Sequence, residues 1–322
     1  MARNVIRDVP TDETSMWVIC TKTHGASMFL RPDGLTERLC LGLAERCRRE
    51  VEGVYLHIPT FQSNHYHLLA SFDGPKPMAD FMNRYNSILA RVMNLHLDRF
   101  DAFWGNTYSA SRVPPEAELR QAKYVLGQGL SEGLYRRAID NPCANAVAAL
   151  TEGKPLLGLD IDLGRWSRAS RENPDVDPLL FTTELTVQLT PLPSLAHLSP
   201  QAQQLEVLKL VREAEGEVAD KQGNDKVDKV LGAAAMRAVD PFTRPRRTKR
   251  GASAPLCHGP PAIKKAARVE HKANLAQRDI SLDRAATQFL KCGHPGSMHP
   301  PSALVPALRR LAKESPDGCP DG

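Results

Sequence analysis

The stretch from Val54 to Leu95 restricts the possible folds of this chain more than any other. Val54-Tyr55-Leu56-His57-Ile58 reads as a strand closed by Pro59, and Asn64-His65-Tyr66-His67-Leu68-Leu69-Ala70, running on to Phe72, reads as a second. So short a separation calls for an antiparallel pair, because a parallel crossover needs a dozen or more residues. After Asp73-Gly74-Pro75, Phe81, Met82, Tyr85, Ile88, Leu89, Val92 and Leu95 follow a 3.6-residue period. That period predicts a long amphipathic helix beginning near Pro77. Its other face carries Asn83, Asn86, Arg91 and Asn94, polar groups suited to water or to a nucleic-acid backbone.

Simpler patterns flank this block. Trp17-Val18-Ile19-Cys20-Thr21 reads as a buried strand, and Asp33 or Thr36 can cap a helix bearing Leu35, Leu39, Leu43 and Cys47. Phe103-Trp104-Gly105 and Tyr108-Ser109-Ala110 predict a short extended return to the sheet. Pro114-Pro115 opens a third helix with an apolar stripe of Leu119, Ala122 and Leu126, while Tyr124 and Gln128 fall together on the opposite face, one turn apart. Gly127 and Gly129 weaken the last turn around Gln128. Strands and helices in this order predict an α+β fold, an antiparallel sheet with helices packed on it.

With 322 residues the chain has room for more than this one block. Seven cysteines, odd in number and without regular spacing, argue against a disulfide framework and for a reducing compartment. No apolar run follows Met1-Ala2-Arg3-Asn4 as a signal peptide would, and none approaches the ~18 residues of a membrane span. The expectation is a soluble cytoplasmic protein with no membrane partner. The net charge of +5 is unevenly spread: residues 241–285 carry +8, leaving −3 for the rest. Arg244, Arg246, Arg247, Lys249 and Arg250 lead this basic segment as expected nucleic-acid contacts.

Three segments are expected: the α+β domain over residues 1–142, a mixed, mainly helical extension over 143–240, and a basic, proline-rich, partly disordered tail over 241–322. Gly164-Arg165-Trp166-Ser167 reads as a loop anchor, and residues 181–189 read as a strand. Ser199-Pro200 starts a helix carrying Leu205, Leu208 and Val211, and Lys226 to Ala238 reads as another. Cys257-His258, Cys292-Gly293-His294 and His299 hold zinc-binding atoms at no standard zinc spacing.

The chemistry centres on His65 and His67. Separated by one residue on a strand, they project from one face and form a pair of imidazoles suited to a divalent metal. An edge strand with two ordinary histidines has the same pattern. His57 lies in the other strand and reads as structural. Among the tyrosines, Tyr85 lies on an apolar stripe, and Tyr108 and Tyr135 lack an amide one turn further on.

These residues resemble a known family. Asn64-His65-Tyr66-His67-Leu68-Leu69 is similar to the histidine–hydrophobic–histidine motif of the single-tyrosine HUH transposases, the insertion-sequence 200-like and REP-associated tyrosine transposases. Ala122-Lys123-Tyr124-Val125-Leu126-Gly127-Gln128-Gly129, continuing to Gly133-Leu134, resembles their second motif, a helix bearing a nucleophilic tyrosine. The resemblance covers roughly Val5 to Pro142. The family usually has Asn-Pro where Gln128-Gly129 stands, and a more basic segment where Gly105-Asn106-Thr107-Tyr108 stands.

The resemblance implies a ferredoxin-like HUH domain. It also implies Tyr124 as nucleophile, Mg²⁺ or Mn²⁺ on His65, His67 and Gln128, hairpin-forming single-stranded DNA as substrate, and action as a homodimer. Two histidines suit Mn²⁺ better than Mg²⁺. The activity implied is cleavage and rejoining of DNA through a 5′-phosphotyrosine. The competing expectations are a domesticated noncatalytic DNA-binding protein of the same fold and a metal-dependent phosphodiesterase without a covalent intermediate.

Overall fold

The computed structural model describes residues 13–222, 230–245 and 257–291, and the chain divides into two units, Met1–Pro260 and Pro261–Gly322. In the first unit, β1 (Thr14–Lys22), β2 (Val54–Gln62), β3 (His65–Asp73) and β4 (Ser109–Val113) form an antiparallel sheet in the order β2-β3-β1-β4. α1 (Thr36–Glu50) joins β1 to β2 and α2 (Pro75–His96) joins β3 to β4, which is the ferredoxin-like arrangement.

Local chemistry accounts for these elements. Asp33 Oδ1 accepts from the Leu35 and Thr36 amides, and Glu37 Oε2 accepts from the Asp33 and Gly34 amides, so the start of α1 is capped. α2 buries Met78, Phe81, Met82, Tyr85, Leu89 and Val92 against the sheet face bearing Tyr66, Leu68, Ala70 and Phe72. Asn86, expected on the polar face, turns inward instead: its Oδ1 accepts from the Tyr66 hydroxyl at 2.5 Å, and its carbonyl from Trp104 Nε1 at 2.8 Å. A buried phenol needs such a partner.

β2 does not stop at Pro59. It continues to Gln62, with an irregularity between Leu56 and Ile58. Pro59 is tolerated because β2 lies at the sheet edge, where a missing N–H breaks no continuous ladder. Downstream chain covers both edges. Phe61 N donates to Ala144 O and Thr190 N to Leu56 O along β2, while Cys257 bridges Arg112 on β4.

The opposite sheet face, bearing His67, Leu69 and Ser71, takes α3 (Glu118–Leu126), entered through a short 3₁₀ turn over Pro115–Ala117. α3 buries Ala122, Val125 and Leu126 but leaves Leu119 39 % exposed, so the apolar stripe is rotated from the one read in the sequence. α4 (Val147–Glu152) and α6 (Pro200–Gln222) extend this layer. α6 buries Val207, Val211 and Ala214 while Leu205 is 60 % exposed, which rotates its face likewise.

Beyond Pro142, where a domain boundary was expected, the chain stays in the same unit. β5 (Leu157–Ile161) and β6 (Thr182–Thr186) form an antiparallel pair lying on α1, joined through α5 (Leu163–Glu172). Gly164 to Ser167 are therefore helical rather than a loop, because Asp162 caps α5 by accepting from Arg165 N at 2.9 Å. The strand read over 181–189 spans only Thr182–Thr186; Val187 N then bonds Leu156 O, and Thr190 turns to β2.

Of the helix expected from Lys226 to Ala238, α7 spans Gly232–Ala238; Val230 and Leu231 are not helical, and residues 226–229 lie outside the described residues. In the second unit, α8 (Pro261–Lys291) is a 31-residue helix where the sequence pattern pointed to a tail. Cys292, His294 and His299 lie outside the described residues. Among the described residues no helix is long and apolar enough to cross a membrane.

Candidate active site

Strand register builds the site. In the antiparallel ladders His65 is opposed by Lys22 on β1 and Gln62 on β2, and His67 by Cys20 and Thr60. Directly opposed residues share a sheet face. Two adjacent rows, Gln62-His65-Lys22 and Thr60-His67-Cys20, therefore look toward α3. The His65 and His67 ring centroids lie 5.2 Å apart, with the rings nearly perpendicular.

Tyr124 on α3 reaches this pair within the same chain. Its ring stands edge-on to His67, with centroids 5.7 Å apart, and it stays 51 % exposed. α3 ends at Leu126, as the glycines foretold, and Gln128 sits just beyond it in a turn in which its side-chain Nε2 donates to Tyr124 O at 3.1 Å. Histidine pair, tyrosine and amide come together here.

The turn is held from beneath. Gln62 Nε2 donates to Gln128 O at 3.1 Å and contacts the Tyr135 hydroxyl at 2.9 Å, and Tyr135 also donates to Gln128 O. Glu132 Oε2 accepts from Gly129 N at 3.1 Å. These contacts fix the backbone from which the Gln128 side chain projects. Tyr135 is buried in this role, and Tyr85 lies in the core donating to Cys40 O, so neither is presented as a nucleophile. Burial also raises the Tyr108 phenol to about 12.

Burial sets the protonation of the pair. Burial, reinforced by the Lys22 ammonium, draws His65 down to about 4, while Glu132 and Gln128 oppose the shift. Burial, with His65 and Lys22, draws His67 down to about 3. Both rings are therefore neutral, the form that ligates metals. Asn64 Oδ1, which can only accept, lies 2.7 Å from His65 Nδ1; with the proton on that nitrogen the ring's lone pair is on Nε2. His67 Nδ1 is buried without a hydrogen-bond partner, as is Gln62 Oε1. Burial raises the Tyr124 phenol, and the hydrogen bond to Gln128 opposes this.

Among the described residues no three His, Cys, Asp or Glu side chains gather as a metal set. A metal at the His65–His67 pair would take its further donor from the Gln128 amide. The two neutral imidazoles, the orphaned His67 nitrogen and the adjacent amide are a donor set that would suit a divalent cation.

His57 is structural, as its separate strand implied: its ring nitrogens lie 2.9 Å from Thr190 O and 2.8 Å from Ser71 Oγ. Of the basic arm, Arg244 is exposed with its guanidinium over Gly25, and Arg246, Arg247, Lys249 and Arg250 lie outside the described residues. Sequence reading did not identify Lys22, Gln62 or Tyr135 as parts of the site. The pairing register alone puts Lys22 and Gln62 beside His65. No family model and no curated protein matches this chain.

Proposed function

We propose that this protein is a metal-dependent DNA strand transferase of the transposase type, cleaving single-stranded DNA through Tyr124 and rejoining it through a 5′-phosphotyrosine. The observation that carries the reading is the approach of Tyr124 to His67 within one chain, with Gln128 beside Tyr124 and His65. Strand, helix and turn come from residues about 60 apart, and only a packed fold brings them together.

His65, His67 and Gln128 would hold Mg²⁺ or Mn²⁺, which when bound supplies Lewis-acid polarisation of the scissile phosphate. The chain's own residues supply the rest. Half-exposed Tyr124 presents its hydroxyl to an in-line phosphate and transfers its proton as the P–O bond to the 3′-oxygen breaks. The phenol gains the 5′-phosphate, and the departing strand takes a proton to become a 3′-hydroxyl. A second 3′-hydroxyl then attacks the phosphotyrosine and restores the phenol. The bond energy is conserved, so no nucleotide cofactor is required. Lys22, opposite His65 on β1, offers a cation to the phosphoryl oxygens. Two protomers, each with its own site, would handle two DNA ends; Arg244 and its basic neighbours would add backbone affinity.

Incubation with Mn²⁺ and labelled hairpin oligonucleotides, followed by denaturing electrophoresis, tests this. The expected result is a denaturation-resistant protein–DNA adduct that disappears in Tyr124→Phe while binding is retained. An adduct that survives in that variant overturns the assignment. Binding without any adduct in the unaltered protein would favour the noncatalytic DNA-binding reading.

A further inference from the structure

On the other side of the sheet from Tyr124, a groove of about 1210 Å³ runs between the C-terminal half of α2 and the α5–β6 region of the extension. Its charges are unequally satisfied. Arg46 is bonded to Glu50 at 3.0 Å and to Asp160 at 3.2 Å, and Arg49 to the buried Glu45 at 2.7 Å. Asp162 is engaged in capping α5. Each carboxylate lining the groove thus has a partner.

Three guanidiniums meet no carboxylate: Arg99, which bonds Asn94 Oδ1 and Ala102 O and lies over the Phe29 ring, Arg91 and Arg165. Arg91, exposed on α2, donates from Nε to Ser87 O at 3.3 Å and meets no carboxylate. Arg165, exposed in the first turn of α5, lies 5.8 Å from the Phe181 ring centroid and likewise meets none. The same lining carries two large apolar side chains open to solvent, Phe100 at 96 % exposed and Leu180 at 70 %. Neither belongs to the hydrophobic core or packs against it.

We infer that this groove binds a single-stranded stretch of DNA, with Arg91 and Arg165 on phosphates and Phe100 stacked on a base. Unpaired guanidiniums beside an exposed aromatic face match what an unstacked strand offers, a charged backbone and free base faces. A duplex would offer phosphates with its base faces stacked away, and a polyacidic chain would give Phe100 no ring to stack on. The choice of DNA rests on the proposed function, and the groove would give the extension a role in holding strand distant from the scissile phosphate.

The test uses the full chain with Tyr124→Phe as background, in chelator, so that binding is read apart from chemistry. Fluorescence anisotropy follows a labelled oligothymidine. Phe100→Ser should weaken binding about tenfold. Arg91→Gln with Arg165→Gln should lower the magnitude of the log–log salt slope by about 1.4, two phosphate contacts' worth. All three side chains are exposed, so the melting temperature should not move, and a fall in it would be checked with Phe100→Tyr, which keeps a stacking face and should restore binding.

Unchanged affinity and slope in these variants overturn the groove, even where unaltered protein forms the Tyr124 adduct. Equal loss with a duplex of the same length, or displacement by polyglutamate as effective as by DNA, overturns the single-strand assignment. Groove-dependent binding in a protein that forms no adduct supports the groove and sinks the strand-transfer reading instead.

Discussion

Gln128 is useful only if its short turn is held still. Gly129 has φ +88, and a Cβ added there would come within 2.4 Å of the Tyr135 hydroxyl. Gly129→Ala should therefore cost about 1–3 kcal/mol from backbone strain and lost clamp contacts together, read as a lower chemical-denaturation midpoint. Tyr135→Phe is the finer probe. It removes the hydroxyl that grips Gln128 O while Gln62 Nε2 remains, and should weaken Mn²⁺ binding about tenfold by electron paramagnetic resonance titration. A lowered stability with unchanged Mn²⁺ affinity would make Tyr135 a purely structural residue. At this scale the sequence displayed His65, His67, Tyr124 and Gln128, because spacing along one strand and one helix is local. Gln62 and Tyr135 were invisible, since their value lies in a contact between positions 73 residues apart.

Elements show the same division between what periodicity carries and what packing decides. The residues of α2 were legible because twenty-two positions average out local exceptions. α3 has nine, and its orientation is set by α6 on one side and the sheet on the other, so the stripe drawn through Leu119 missed. The contact of α1 with β5 left still less trace. Gly42 and Gly158 meet backbone to backbone, and a Cβ on Gly42 would lie 2.2 Å from Leu159 O. By helix propensity alone Gly42→Ala would stabilise α1 by about 1 kcal/mol. It should instead destabilise the protein by about 1–3 kcal/mol, since overpacking against backbone cannot be relieved by a rotamer change. A raised melting temperature in that variant would show that the hairpin does not rest on α1 in this way.

For the first unit as a whole, sheet and helices were legible to about Pro142; beyond it the helix from Pro200 and part of the strand over 181–189 were legible, while β5, α5 and the packing of the extension were not. The extension does not repeat a motif; it covers the sheet's two open edges and both of its helical layers, and edge protection leaves no periodic signature. One consequence belongs to the whole unit. Burial holds the folded-state pKa of His65 at about 4 and His67 at about 3, and lowers that of His57, against an ordinary value of 6.5. As the pH falls from 6.5 toward 4, unfolded chains take up protons that folded ones do not. Stability must then rise with pH across that window, by about 1.4 kcal/mol per pH unit for each imidazole that differs. Asp33 adds a separate loss at lower pH. Burial pushes its carboxyl up, but hydrogen bonds from His96 and the Thr36 amide outweigh this and bring it to about 2, so its contribution is present above 3.8 and disappears as the pH falls through 2. Denaturation midpoints measured in chelator should therefore decline steadily from pH 7 to pH 4. With Mn²⁺ present the midpoints should lie higher across this window, because bound metal stabilises only the folded, neutral pair, and that increment should vanish below about pH 4 as the imidazoles protonate. A midpoint that stays level from pH 7 to pH 4 in chelator would mean that the three imidazoles are not buried as neutral rings, and the metal site argued from them would fall with that result.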